Sequence, residues 1–251
     1  DGSKFGTFRS YTAFFGGGRL KVENLTIENT AGDGRTSGQA IAAYVDSQTA
    51  YFHHVRFLGR QDTLFAAPLP SEPRIPGSFI GPRENAPRTP TMQYYENCYI
   101  EGDIDFIFGG AQTVFEDCDI VSLDRGEIVN GYIAAPCTAK EQPFGFLFDH
   151  CRLTSDCPAG SVYLGRPWRE FGKAAFLECE LGAHIIPSGW DHWNDPANEK
   201  TACFAEFKNV GSGYQPEKRV PWSIILNEEQ ANEYQDQIQF LKEQCQKCGR
   251  Q

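Results

Sequence analysis

A six-residue pattern, apolar-x-x-apolar-x-apolar, recurs along the chain at intervals of 20 to 43 residues. Its spacing predicts that each copy is one short β-strand with alternating faces. Recurrence at these intervals predicts a solenoid of stacked coils with loops of variable length on one side. The copies are Val22-Leu25-Ile27, Phe52-Val55-Phe57, Tyr95-Cys98-Ile100, Phe115-Cys118-Ile120, Phe148-Cys151-Leu153, Phe176-Cys179-Leu181 and a degenerate Phe204-Phe207.

Two aspartates occupy the same offset in neighbouring copies. Asp62 lies seven residues after Val55, and Asp105 lies seven residues after Cys98. Because parallel strands lie about 4.8 Å apart, equal offsets place the two carboxylates side by side on the outer surface. Two carboxylates at this distance repel each other, so the pKa of one rises and the two titrate as a coupled pair. One carboxyl can then stay protonated as an acid while the other is ionised as a nucleophile. The structural alternative is that both are turn residues, since Asp is common in turns.

Length and charge limit the classes of protein. The 251 residues suit one large all-β domain, 1–251. A net charge of −10 excludes nucleic acid as a partner, because nucleic-acid binding needs a basic footprint. The same charge repels anionic ligands unless local Arg or Lys side chains override it. No apolar run reaches the length of a membrane span, so we expect no membrane partner.

Cysteine usage predicts buried thiols. Cys behaves at an inward position as a small apolar side chain, and the odd total of nine leaves at least one unpaired. Cys245 and Cys248 form a CxxC pair without a second pair, which is weak support for zinc. A stacked row of reduced thiols is expected at the four central repeat positions, Cys98, Cys118, Cys151 and Cys179.

Two segments lie outside the repeat. Residues 66–91 carry seven prolines and predict a long exposed loop. Because this loop falls between the two aspartates, we expect it to border the cleft that they line. Residues 227–244 predict a C-terminal helix that packs on the solenoid. Its signals are a capping box and apolar residues at helical spacing, namely Asn227 with Gln230, and Ala231, Tyr234, Ile238 and Leu241.

Four short motifs accompany the aspartates: GQAIA at 38–42, GRQDTLF at 59–65, DFIFGGA at 105–111 and LGRPW at 164–168. A side-chain amide beside an acid, such as Gln61 beside Asp62, can donate a hydrogen bond to a developing oxyanion. An arginine near a carboxylate keeps that carboxylate ionised and oriented. Exposed aromatic rings beside polar groups are surfaces on which sugar rings stack. Each residue also has a plainer interpretation: Gln39 as a turn residue or inward amide ladder, Arg166 in a surface ion pair, and Trp168 in the core.

In this order, and with SGW at 188–190, the motifs resemble those of the pectin methylesterase (pectinesterase) family of carbohydrate esterases, over about residues 1–241. The resemblance implies a right-handed parallel β-helix that hydrolyses methyl esters of galacturonate in pectin, with no cofactor and no metal. It implies that Asp105 is the nucleophile and Asp62 the general acid and then base. It also implies an oxyanion site at Gln61 and Gln39, orientation of Asp105 by Arg166, and ring contacts to substrate from Phe108, Trp168 and Phe65.

The sequence departs from the family pattern at three places. The family's earlier GxYxE segment and first coils are absent, so we expect N-terminal coils to lie outside this sequence. Phe65 replaces the family's usual Tyr, which removes a hydroxyl that could bind substrate. The 66–91 loop is longer than the usual connection, which leaves the accessible polymer length open. The family further implies a secreted monomer acting on methylated homogalacturonan, with an intracellular location as the alternative suggested by the thiols.

Two other functions remain open. A retaining glycosidase also needs two carboxyl groups about 5 Å apart, and a sugar-binding solenoid without catalysis would share the fold. The amide donors beside the acids favour acyl chemistry over glycoside hydrolysis. The sequence has no GxSxG serine elbow, so an α/β-hydrolase mechanism has no support.

Overall fold

The structure is a computed structural model that describes residues 5–247. Its helices are α1 (Gly34–Ser37) and α2 (Glu228–Gln246), and short 3₁₀ turns cover Thr7–Arg9, Pro196–Lys200 and Pro216–Lys218. The strands, in chain order, are β1 (Ala13–Glu23), β2 (Thr26–Glu28), β3 (Ala43–His53), β4 (Arg56–Leu58), β5 (Leu64–Ala66), β6 (Met92–Glu96), β7 (Tyr99–Gly102), β8 (Ile104–Gly109), β9 (Gln112–Glu116), β10 (Asp119–Ser122), β11 (Gly131–Pro136), β12 (Phe146–Asp149), β13 (Arg152–Ser155), β14 (Val162–Gly165), β15 (Lys173–Leu177), β16 (Glu180–Leu181), β17 (Cys203–Phe207) and β18 (Ile224–Ile225).

The strands form two sheets in which neighbouring strands come from successive coils. The six-stranded sheet has the order β16-β13-β10-β7-β4-β2. The twelve-stranded sheet runs β14-β11-β8-β5-β3-β6-β9-β12-β15-β17-β18, with β1 also paired to β3. Every pairing between these strands is parallel. The predicted fold class, a parallel β-helix, is confirmed.

Each copy of the repeat spans a corner, so the prediction of one strand per copy is wrong. In the second copy, Phe52 lies near the end of β3, while Phe57 lies in β4 of the other sheet. His54 between them has a φ of 52°. Such left-handed residues turn the chain, and Asn, Asp and His adopt this conformation more readily than most side chains. The same corner recurs at Asn24, Asn97, Asp117, His150, Glu178 and Lys208.

The first and central repeat positions fill the interior of the helix. The rings of the first position stack between coils. The ring centroid of Tyr95 lies 4.9 Å from those of Phe52 and Phe115, and the centroid of Phe148 lies 4.2 Å from that of Phe176. The central Cys98, Cys118, Cys151 and Cys179 are buried and unpaired, as predicted. One central residue differs, because Leu25 of the first copy is 43% exposed. Cys245 is buried and Cys248 lies outside the described residues.

We expect the four central thiols to remain unreactive towards a thiol reagent until the protein is denatured. All four side chains are at most 2% exposed, so a reagent cannot reach their sulfur atoms while the protein is folded. Counting thiols before and after denaturation checks this expectation. Reductant should leave Tm nearly unchanged, because no bond is lost. A fall of many degrees on reduction would instead reveal structural disulfides.

The long loop and the C-terminal helix both pack against the β-helix. Helix α2 has the predicted capping box at Asn227 and buries Ala231, Ile238 and Leu241. The 66–91 loop borders the aspartates and is exposed or half-buried over most of its length, with Ile75 and Ile80 exposed. Three of its apolar residues, Ala67, Leu69 and Phe79, are buried, because they pack with core residues of the neighbouring coils.

Candidate active site

The two aspartates lie at equivalent positions on neighbouring coils. Leu64 of β5 pairs with Ile107 of β8, so Asp62 and Asp105 each lie two residues before a paired position. The Asp62 amide donates a hydrogen bond to the Ile104 carbonyl, 3.0 Å away. Both aspartates have left-handed backbone, with φ values of 67° and 50°. Non-glycine residues held in this region commonly mark functional sites, and here the conformation is shared by both carboxylates.

Asp105 is held by a paired contact with Arg166. The Nε and Nη2 atoms of Arg166 donate to the two carboxylate oxygens of Asp105 at 2.8 and 2.7 Å. The Arg166 guanidinium is sandwiched between the rings of Tyr132 and Trp193, with its Cζ 3.7 and 3.8 Å from the ring centroids. A bidentate contact fixes the plane of a carboxylate, and the two rings fix the guanidinium. The carboxylate plane of Asp105 is thereby fixed, with both of its oxygens hydrogen-bonded to Arg166.

The LGRPW motif positions this arginine. Gly165 passes so close to β11 that an added Cβ would lie 2.5 Å from the Ala134 carbonyl oxygen, and the Arg166 amide donates to that oxygen at 2.9 Å. Asp191, just after the SGW motif, donates through its backbone to the Gly165 carbonyl and accepts from the Trp193 amide at 2.7 Å. Backbone contacts between coils therefore place both Arg166 and one of its ring partners.

The two carboxyls differ in electrostatic environment. Only 8% of Asp62 and 6% of Asp105 is exposed. Burial, followed by the charge of Asp105, raises the pKa of Asp62 well above its usual value. Burial also raises the pKa of Asp105, but the Arg166 charge and hydrogen bonds offset part of that rise. Of the two carboxyls, Asp105 is therefore the easier to ionise, because Arg166 pairs with it, and Asp62 is the easier to keep protonated.

Two glutamines lie beside the carboxyl pair. The Ala40 amide donates to the Gln61 carbonyl at 3.1 Å, which ties the segment carrying Gln39 to Gln61. The Gln61 side chain covers Gly34 of α1, where an added Cβ would lie 2.4 Å from Gln61 Oε1. Within residues 5–247, neither side-chain amide has a hydrogen-bond partner. Both are therefore available as uncharged donors to a ligand.

A cavity of about 330 Å³ opens over the aspartates. Its floor is polar, and aromatic rings form one wall: Phe108 lies 5.6 Å from Trp168, and Phe8 stacks on Trp168 at 6.3 Å. Seven of the eight predicted site residues line it: Gln39, Gln61, Asp62, Asp105, Phe108, Arg166 and Trp168. A polar floor beside aromatic rings suits a sugar carrying a reactive carboxyl derivative.

Phe65 is the exception, and its prediction as a substrate contact is wrong. It is 0% exposed and packs beneath the cavity, 4.8 Å from Phe108 and 4.7 Å from Tyr44. As the middle residue of β5, it lies in an interior cluster with Phe8. Replacement of the family's tyrosine therefore changes the packing under the cavity and not its lining.

Sequence reasoning missed several residues of the cavity. They come from the N-terminal segment, from the long loop, from the position directly after LGRPW and from the segment after SGW: Thr7, Phe8, Arg74, Ile75, Ser78, Phe79, Arg169 and Trp193. The proline cluster between the aspartates signalled the loop as a whole, though not which side chains turn inward. No three His, Cys, Asp or Glu side chains converge as metal ligands in the described part of the chain.

Comparison with known sequences gives one family. The Pectinesterase family model matches residues 2–69 and 88–244. Pectinesterase 31 of Arabidopsis thaliana is 34% identical over 229 residues, which are 91% of this chain and 63% of that protein. The chain spans 36 to 63% of the length of three curated Arabidopsis relatives.

Solved structures give the same result. Pectin methylesterase PemA from Erwinia chrysanthemi superposes with a TM-score of 0.72 at 28% identity, covering 93% of this chain and 73% of that one. A pectin methylesterase in complex with a hexasaccharide has the same TM-score and coverage at 27% identity. None of the helices within residues 5–247 is long and apolar enough to cross a membrane.

Proposed function

The chain belongs to the pectinesterase family, and on that premise we propose that it hydrolyses methyl esters of galacturonate in pectin, releasing methanol. The observation that carries this proposal is the asymmetric pair of aspartates. Asp105 is held by Arg166 through two hydrogen bonds, while Asp62 has no cation within 4.0 Å among the described residues. An ionised and a protonated carboxyl side by side are what nucleophilic attack and proton donation require together.

Attack begins at the ester carbonyl. Ionised Asp105 forms a bond to the carbonyl carbon, and the carbonyl oxygen becomes an oxyanion. The free amides of Gln61 and Gln39 donate to that oxygen, and donors of this kind stabilise a tetrahedral intermediate. When the intermediate collapses, Asp62 gives its proton to the departing methoxide, which leaves as methanol. The product of this half-reaction is an anhydride between the galacturonate carboxyl and Asp105.

Water completes the cycle. Asp62, now ionised, removes a proton from a water molecule that attacks the galacturonate carbonyl of the anhydride. Collapse of the second intermediate releases the galacturonic acid, returns Asp105 to its ionised form and leaves Asp62 protonated. Arg166 keeps Asp105 oriented through both steps, and the rings of Phe108 and Trp168 hold the sugar. The substrate is methylated homogalacturonan, and we place the protein, as a monomer, outside the cell, where this polymer lies.

Methanol release is the decisive measurement. Highly methylated pectin incubated with the protein is expected to yield methanol and acid in equal amounts, without new reducing ends. New reducing ends would instead identify a glycosidase acting through the same carboxyl pair. Binding of pectin without either product would identify a sugar-binding protein. The Asp105→Asn variant serves as the blank, because it removes the nucleophile and retains the aromatic wall of the cavity.

A further inference from the structure

A second cavity adjoins the active-site cavity, and two arginines line both. The second cavity encloses about 480 Å³, and Arg74 and Arg169 belong to the walls of the two cavities. Arg169 directly follows the LGRPW motif. Arg74 lies in residues 70–87, the segment that the family model leaves unmatched. The junction between the cavities is thus partly built by a segment outside the family pattern.

The second cavity is basic in a protein of net charge −10. Its walls carry Arg74, Arg88, Lys140 and Arg169, and the lining includes a single acid, Glu170. The Arg88 guanidinium is engaged by four backbone carbonyls, those of Pro70, Arg83, Glu84 and Ala86. Local basic side chains of this kind override a repulsive overall charge within about a Debye length, so the site favours an anion.

The two shared arginines have no acidic partner. None of the ion pairs within residues 5–247 involves Arg74 or Arg169. Arg169 is anchored instead by donation to the carbonyls of Trp168 and Glu72, at 2.8 and 3.2 Å. Burial lowers the pKa of Arg169, and the charge of Arg74 lowers it further. Two neighbouring like charges without a counter-ion are stabilised when an anion binds between them.

We propose that Arg74 and Arg169 form a subsite for the ionised carboxylate of an unesterified galacturonate, next to the ester that is hydrolysed. This rests on the proposed function. Guanidinium groups pair with carboxylates through directed hydrogen bonds, and both arginines line the first cavity as well as the second, within reach of a polymer bound over the aspartates. The subsite makes the protein prefer esters that neighbour a free carboxylate, which are the esters its own product creates.

The test compares two oligogalacturonates of equal length, one fully methylated and one with half of its carboxyls free. Wild type is expected to show the higher kcat/KM per ester on the half-methylated oligomer. Arg74→Gln should lower that value about five- to tenfold through KM and leave the fully methylated oligomer within about twofold. Arg74→Lys, which keeps the charge, should retain most of the preference. Raising NaCl to 0.5 M should shrink the wild-type preference, because salt screens exposed charges.

Arg19→Gln is the matched control. Arg19 is an exposed residue of β1 that lines neither cavity, and the substitution makes the same change in net charge. It should leave both kcat/KM values unchanged. The subsite would be overturned if Arg74→Gln lowered kcat/KM equally on the two oligomers or on neither. It would also be overturned if Arg169→Gln kept the wild-type preference for the half-methylated oligomer. Failure of wild type to release methanol from either oligomer would instead overturn the proposed function.

Discussion

Asp105→Asn is expected to lower kcat on methylated pectin by about 10⁴-fold or more, the scale of loss seen when a covalent nucleophile is removed. The amide cannot form the anhydride, because its nitrogen carries no charge and its oxygen is a weak nucleophile. Arg166 can still donate to that oxygen, so the side chain should stay in place and pectin should still bind. The measurement is kcat from methanol release, with pectin binding and Tm followed in parallel.

Asp103→Asn is the matched control for this substitution. Asp103 is buried two residues away, accepts a hydrogen bond from the Ile104 amide at 2.7 Å, and does not line the cavity. The same chemical change there is expected to cost stability, because Arg60 loses its charged partner at 3.4 Å, while kcat stays within about tenfold of wild type. An Asp105→Asn variant that keeps more than about a hundredth of wild-type kcat would remove Asp105 as the nucleophile.

Asp62→Asn is expected to lower kcat by about 10²- to 10⁴-fold, the contribution of a general acid and base. It should also change the pH profile of kcat/KM. In wild type, activity is present while Asp62 is protonated and is lost as pH rises through its pKa, which burial and Asp105 raise well above the usual value. Activity is lost on the acid side as Asp105 becomes protonated. The two limbs belong to the coupled pair.

With Asn at position 62, the alkaline limb should disappear, because the group that titrates there is gone. The acid limb should stay close to its wild-type position, since Asp62 is already neutral in that range and exerts little charge on Asp105. Profiles of both proteins on highly methylated pectin, recorded at constant ionic strength, test this. An alkaline limb that persists unchanged would assign the titration to another group and leave Asp62 a structural residue.

The sequence by itself determined the features that one coil encodes locally. Burial of Cys98 and Cys118 at the centre of each repeat follows from the spacing, because the inward positions of every coil face the same interior. The equal offsets of Asp62 and Asp105 gave their neighbouring positions, because parallel strands in register bring equal offsets together. The capping box at Asn227 predicted the start of α2, because its hydrogen bonds are made within one helical turn.

The tertiary structure decided what depends on contacts between distant coils. Trp193 covers Arg166, and Phe79 of the long loop lies 5.7 Å from Phe8. Phe65 was expected in the cavity and lies beneath it, although Gln61 of the same GRQDTLF motif lines the cavity. Periodicity reports which face of a strand is buried, but not which loop covers that face. Loop positions are set by the stacking of coils and by packing between residues far apart in sequence, and these contacts leave no repeating signal in the chain.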